Sequence, residues 1–251
     1  MQDCRLIIED LDSHQSGATN MSVDEVLLQN AEENSHPTLR FYGWKAPTLS
    51  LGYFQKVADR NSHEASLHCD LVRRASGGGA IMHDKELTYA FATPTNSRWS
   101  DTEQTYLAFH ETLVELLGEF DIAAELHSKE SGLTSDAFLC FQRRASGDVT
   151  AGGHKIMGSA QRRGKNAMLQ HGSLLLAQSV YAPELPGVRE IAEPEISSGL
   201  KIEVLRSEWL HKLTSRLKVN FFTGSLTDTE RRGADAVRKE KFERDSWTVR
   251  R

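Results

Sequence analysis

The segment RRASGGGAIMHDKELTYAF, Arg73 to Phe91, sets two arginines and three consecutive glycines ahead of an apolar run that holds a histidine. Successive glycines open backbone dihedrals closed to other residues, and they let a ligand lie against main-chain N–H groups with no Cβ between. With Arg73 and Arg74 adjacent, such a loop suits a phosphate or a polar acyl-carrier group while an apolar tail enters the sheet. The same letters also fit a plain strand-to-strand loop with surface arginines. His83, among Ile81, Met82 and Leu87, reads on its own as a packing histidine or a catalytic one.

Cys4, Cys69 and Cys140 form no CxxC pair, which fits a reducing compartment; each is either a small buried apolar residue or a reactive thiol. A free thiol is only slightly ionised at neutral pH, so a cysteine nucleophile needs a cation beside it. Other chemistries find little support. HEASLH from His63 spaces its histidines one residue too far apart to share a helix face, and no metal site is expected there. GSAQRRGKN from Gly158 resembles a phosphate loop, but it is one residue too long and has Asn166 where a magnesium-binding hydroxyl belongs. No serine lies in a GxSxG elbow.

The elements that must position these residues read as an α+β domain. NMSVDEVLLQNAEEN predicts a first helix, with Ser22 and Glu25 as a capping box and Val26, Leu27 and Ala31 on one face. TLRFYGWKAPTLSLGYFQ predicts two strands joined by a turn around Lys45, Ala46 and Pro47, and DLVRRAS a third that runs into the glycines. AIMH and ELTYAFATP follow as strands across the polar turn at Asp84 and Lys85. Leu107, Leu113, Leu116, Leu117 and Phe120 mark a second helix, and DVTAGGHKIMGSAQRRGKNAMLQHGSLLL a meander of antiparallel strands. Leu205, Trp209, Leu213 and Leu217 mark a third helix. Residues from about 227 to 251 form a charged segment, read as an exposed helix weakened at Gly233. No linker divides residues 1–251, so one domain is expected.

Composition narrows the function. With 39% apolar and 26% charged residues the chain is neither disordered nor fibrous, and a net charge of −5 gives no overall basic field for nucleic acid. No stretch approaches the ~20 apolar residues of a membrane span, and the N-terminus lacks the apolar centre of a signal peptide, so a soluble cytoplasmic protein, a monomer, is expected.

Taken together, RRASGGGAIMHDKELTY, GGHKIMGSAQRR and LQHGSLLL, with NMSVDEVLL and TLRFYGWKAPTLSLGYFQ, resemble the family of lipoate-protein ligases, octanoyltransferases and biotin-protein ligases. The likeness runs from about Asn20 to Leu176. It implies a mixed, largely antiparallel sheet flanked by helices, of the class II aminoacyl-tRNA synthetase and biotin synthetase type. It implies an acyl pocket at Arg73, Arg74, Ser76, Gly77, Gly78, Gly79 and His83, completed by Gly158, Ser159, Ala160 and His171, with Lys155 pointing at the reacting carbonyl. FLCFQRR sets Cys140 where the cysteine-dependent octanoyltransferases of the ligase-like subgroup carry their nucleophile, and Lys155 is the cation at hand.

The resemblance implies transfer of an octanoyl group from acyl carrier protein, through Cys140, to a lysine of a lipoyl domain or of the glycine-cleavage carrier protein. The acyl group arrives already activated as a thioester, so the transfer to the lysine needs no ATP. Gly79 departs toward the ligases, since many of these transferases carry arginine there, whereas HDKELTY leans toward the transferases. The alternatives are an ATP- and Mg²⁺-dependent lipoate ligase, an amidotransferase moving octanoyl or lipoyl groups between carriers, and a lipoyl-domain-binding module without catalysis. Biotin ligation lacks a recognisable loop motif.

Overall fold

The computed structural model describes residues 1–9, 15–34, 36–95, 101–128 and 137–251. Its strands are β1 (Gln2–Ile8), β2 (Thr38–Tyr42), β3 (Thr48–Leu51), β4 (Asp70–Arg73), β5 (Ile81–His83), β6 (Glu86–Pro94), β7 (Ala124–Leu126), β8 (Val149–Ala151), β9 (His154–Arg163), β10 (Ala167–Leu175) and β11 (Val219–Thr223). The longer helices are α1 (Gly17–Asn34), α2 (Thr102–Glu119), α3 (Ile202–Leu217) and α4 (Asp228–Val237).

Eight strands form one sheet in the order β11-β1-β2-β6-β10-β9-β8-β7, parallel across β11-β1-β2 and antiparallel across the rest. β4-β3-β5 form a second, smaller sheet. This is the α+β, largely antiparallel architecture expected from the sequence. The central strands β6 and β10 are buried along their whole length, which requires cover on both faces. On one face, Phe109 of α2 and Trp209 of α3 pack with Phe41 and Tyr89; burying a side chain as large as Trp209 contributes about 3 kcal/mol. On the other, Val26, Leu27 and Ala31 of α1 pack over Ala90, Ala92 and Leu169.

Helix α2 begins where its chemistry indicates: Asp101 accepts from the N–H groups of Glu103 and Gln104, both at 3.0 Å. Helix α1 does not. The predicted capping box at Ser22 is interior, with Ser22 Oγ donating to the Ala18 carbonyl at 2.6 Å, while Ser16 Oγ accepts from Thr19 N at the true start. Gly17 explains the earlier start, because a Cβ there would stand 2.9 Å from Thr48 Cγ2 and 3.2 Å from Val72 Cγ1; glycine lets the helix end seat on the small sheet.

The two predicted strand pairs around Lys45 and Asp84 are not hairpins. In each pair one strand joins the large sheet and the other the small one, so the turns carry the chain between sheets. The C-terminal segment is likewise not a fully solvated helix. Glu230 is buried and accepts from Arg5, from Asn30 Nδ2 at 2.6 Å and from Thr227 N at 2.7 Å, and Ala234 and Phe242 pack with α1. The helix passes straight through Gly233.

Candidate active site

The β9–β10 register assembles the site. Gly158 stands opposite Ser173, Ser159 opposite Gly172, and Ala160 opposite His171, so two motifs distant in sequence become one strip of small residues. A Cβ on Gly172 would meet Ser159 Oγ and Tyr89 Cε1 at 2.4 Å, which keeps the strip flat. Above it, the glycine loop and the turn that starts at Cys140 close a cavity of about 270 Å³. Arg74, Gly77, Gly78, His83, Cys140, Gly158, Ser159, Ala160 and His171 line it, together with Met21, Tyr42, Ile81 and Phe141, which the sequence did not single out.

Cys140 is held by its backbone. Its N–H donates to Ala80 O at 2.7 Å, and Ala80 N–H donates to Phe138 O at 3.0 Å, which splices the thiol-bearing turn to the end of the glycine loop. The third glycine permits this: a Cβ on Gly79 would stand 3.0 Å from both Cys140 Cα and N. Gln55 Nε2 braces the same turn through Phe138 O at 3.2 Å. Lys155 Nζ lies 3.9 Å from Cys140 Sγ.

Lys155 reaches this point from behind the cavity wall. It is 6% exposed, pairs with Asp148 Oδ2 at 2.8 Å and sits 5.4 Å over the Phe141 ring. Asp148 also accepts from Tyr106 O–H at 3.1 Å and from Ala145 N–H at 2.7 Å. Burial, followed by the Asp148 charge, pushes the Tyr106 hydroxyl up, so it stays a donor.

Ser159 is fixed from below. Burial pushes His110 down to about 4, so it is neutral at pH 7. Its Nδ1–H then donates to Gly147 O and its Nε2 accepts from Ser159, both at 2.7 Å, while Tyr89 O–H meets Ser159 Oγ at 2.7 Å.

Both cavity histidines stand in relays. His83 Nδ1 faces Glu86 Oε1 at 2.6 Å and its Nε2 faces Ser50 Oγ at 2.8 Å, with the ring stacked 3.8 Å from Trp44. His171 Nε2 faces Ser76 Oγ at 2.5 Å and its Nδ1 faces Asp24 Oδ2 at 3.3 Å. Ser76 therefore touches the site through His171 rather than the cavity itself.

The arginines are not on the surface. Arg74 binds Ser50 O at 2.9 Å, Gly77 O at 2.8 Å and Gly79 O at 2.6 Å, and so shapes the loop. Arg73 points elsewhere, donating to the carbonyls of Gly52, Gln55 and Thr248, outside the cavity lining. His63 of HEASLH pairs with Glu184 at 2.8 Å.

Sequence reasoning passed over Asp148, Asp24, Glu86 and His110. Asp148 had a signal: the Gly152–Gly153 turn sets Thr150 opposite Lys155, which puts the strand's preceding acidic residue within the lysine's reach. The others reach the site only through tertiary packing.

A thiol beside an ammonium, facing a glycine loop across a channel with apolar walls, suits chemistry on an acyl group. The chain belongs to the Lipoyl protein ligase A/B catalytic domain family, which its residues 16–190 match. Octanoyltransferase LipM of Carboxydothermus hydrogenoformans is 31% identical over 262 residues, covering 94% of this chain and 95% of that one. LipM of Clostridioides difficile is 31% identical over 260 residues with the same coverage. Among solved structures, lipoate-protein ligase A bound with ATP superposes with a TM-score of 0.78 over 99% of both chains at 21% identity. The T. acidophilum protein Ta0514 with bound lipoic acid gives 0.79 over the whole of both chains at 20% identity. At those identities the likeness is one of fold. No helix among the described residues is long and apolar enough to cross a membrane.

Proposed function

We propose that the protein is an octanoyltransferase of lipoate biosynthesis, which takes an octanoyl group from acyl carrier protein and passes it through a thioester on Cys140 to a lysine of a lipoyl domain or of the glycine-cleavage carrier protein. The observation that carries this reading is the 3.9 Å approach of Lys155 Nζ to Cys140 Sγ at a cavity walled by the glycine loop. Curated relatives covering nearly the whole chain carry the octanoyltransferase name, which supports the same reading.

In the first step the Cys140 thiolate attacks the thioester carbonyl, and the tetrahedral oxyanion collapses with departure of the phosphopantetheine thiol. In the second, the acceptor amine attacks the octanoyl-enzyme, the C–S bond breaks and an amide forms. The proton lost by the amine is balanced by the one the carrier thiol has gained. Lys155 and main-chain N–H groups donate hydrogen bonds to the oxyanion in both steps. His83, His171, Ser159 and Ala160 wall the acyl chain, Arg74 shapes the glycine loop through Gly77 and Gly79, and Ser76 acts through His171. Arg73 instead holds the loop after β3, through the carbonyls of Gly52 and Gln55. Thioester exchange is nearly balanced and the amide is the stable product, so no ATP is consumed.

The test is incubation with octanoyl-acyl carrier protein in the absence of ATP, followed by intact mass. An octanoyl adduct that is missing in Cys140→Ser supports the transferase. No adduct, with ATP-dependent labelling of a lipoyl domain by free octanoate, assigns the ligase instead.

A further inference from the structure

Arg74 is a guanidinium at 2% exposure whose recorded partners include no carboxylate among the described residues. It donates to Ser50, Gly77 and Gly79, and its Nε finds no acceptor among the described residues. Buried charges ordinarily have a counter-ion. Arg40, equally buried, has two, Glu9 at 2.9 Å and Asp24 at 3.1 Å. Arg73 also binds carbonyls only, but it does not line the cavity.

The anion missing from Arg74 has a place beside it. A Cβ on Gly78 would stand 3.0 Å from Arg74 Nη2 and 3.9 Å from Cys140 Sγ, so both groups border the open face of this glycine. Burial pushes Arg74 down to about 10, and the charge at Cys140 acts in the opposite direction. Lys155 lies 3.9 Å from the sulfur, but it is already neutralised by Asp148 at 2.8 Å and acts there as one end of a dipole. The charged groups placed at Cys140 thus include Arg74 from the glycine loop, Lys155 from β9 and Asp148 behind it. Gln55, which braces the turn from the loop after β3, is neutral, and His83 reaches Arg74 only through Ser50.

We propose that Arg74 is the counter-charge for the anion formed at Cys140, and that the Lys155–Asp148 pair orients the site rather than supplying its net charge. This rests on Cys140 being the nucleophile. Arg74 would then stabilise first the thiolate and next the oxyanion that replaces it, because the field of a net charge falls off more slowly than that of a neutral pair.

Alkylation of Cys140 by iodoacetamide, which forms a thioether and releases iodide, reads the anion without needing turnover. At pH 7, Arg74→Gln is expected to slow modification of Cys140, followed by peptide mass, by about tenfold or more. Arg74→Lys, which keeps the charge and loses the forked hydrogen bonds, stays within about threefold of the parent. A purely structural role would slow both variants alike. The double variant Asp148→Asn/Lys155→Met removes the pair at constant net charge and is expected to slow modification less than about threefold. The proposal is overturned if Arg74→Gln reacts at the parent rate, or if the double variant loses tenfold. Where Arg74→Gln fails to fold, the double variant decides alone. Failure of the octanoyl adduct with the Arg74 effect intact would sink the transferase reading and leave the charge assignment standing.

Discussion

Gly158 lies against the shaft of Lys155: a Cβ there would stand 2.5 Å from Lys155 Cε and 2.7 Å from Nζ. The glycine is what lets the lysine fold back along its own strand toward the Cys140 turn. Gly158→Ala is therefore expected to displace the ammonium by a fraction of an ångström and to lower octanoyl transfer by about tenfold or more, since small misplacements of a reacting group are costly. Steady-state transfer to a lipoyl domain measures it. A variant with the parent's rate and an unshifted Tm would show that the lysine's placement is not critical.

The Lys155–Asp148 pair is buried on both sides, at 5% and 2% side-chain exposure. Removing one partner strands the other, which costs about 3 kcal/mol or more in such pairs, whereas removing both costs much less. Lys155→Met should therefore unfold at lower urea than Lys155→Met/Asp148→Asn. Equal midpoints for the two variants would contradict this account of the pair.

How far the site was legible in the sequence depends on the kind of contact. The strip at Gly158, Ser159, Ala160, His171 and Gly172 follows from two alternating strands and a tight turn, which a reader of periodicity can pair. The glycine loop's use of Arg74 is different. Two adjacent arginines look like a ligand-facing pair, yet consecutive strand-end residues point to opposite sides, with Arg73 on the carbonyls of the loop after β3 and Arg74 on those of the glycine loop. Asp24 reaches His171 from α1 across a gap of 147 residues, and no local pattern encodes that. The small sheet was invisible for the same reason: the turn at Lys45–Pro47 looks like a hairpin, and only packing of Leu49 and Leu51 against Leu139 and Phe141 sends β3 elsewhere. β1 and β11 pair in parallel from opposite ends of the chain, a contact that neither segment announces.

His110 provides a pH prediction. Its folded value of about 4 lies below the ordinary 6.5 because burial disfavours the imidazolium. The unfolded chain therefore binds more protons than the native one between those values. Stability contributed by the neutral ring is complete above about pH 6.5 and is lost as pH falls toward 4, by up to about 3 kcal/mol. In urea titrations from pH 7 to pH 4, the loss of stability should be smaller in His110→Gln than in the parent. Parallel curves would mean that His110 is charged in the native state.

Gly233 sits inside α4 at its crossing with α1, at no positive φ. A Cβ there would meet Val26 Cγ2 at 3.5 Å and Cγ1 at 3.8 Å, ordinary contact distances that add packing without a clash. Glycine in a helix interior is about 1 kcal/mol less favourable than alanine, largely through the freedom it retains when unfolded. Gly233→Ala is therefore expected to raise the unfolding free energy by about 0.5 to 1 kcal/mol, with transfer activity unchanged because the residue is remote from the cavity lining. A lowered Tm would mean that α4 and α1 approach more closely than the Val26 contact distances allow, and would point to strain at this crossing rather than to relief of backbone entropy.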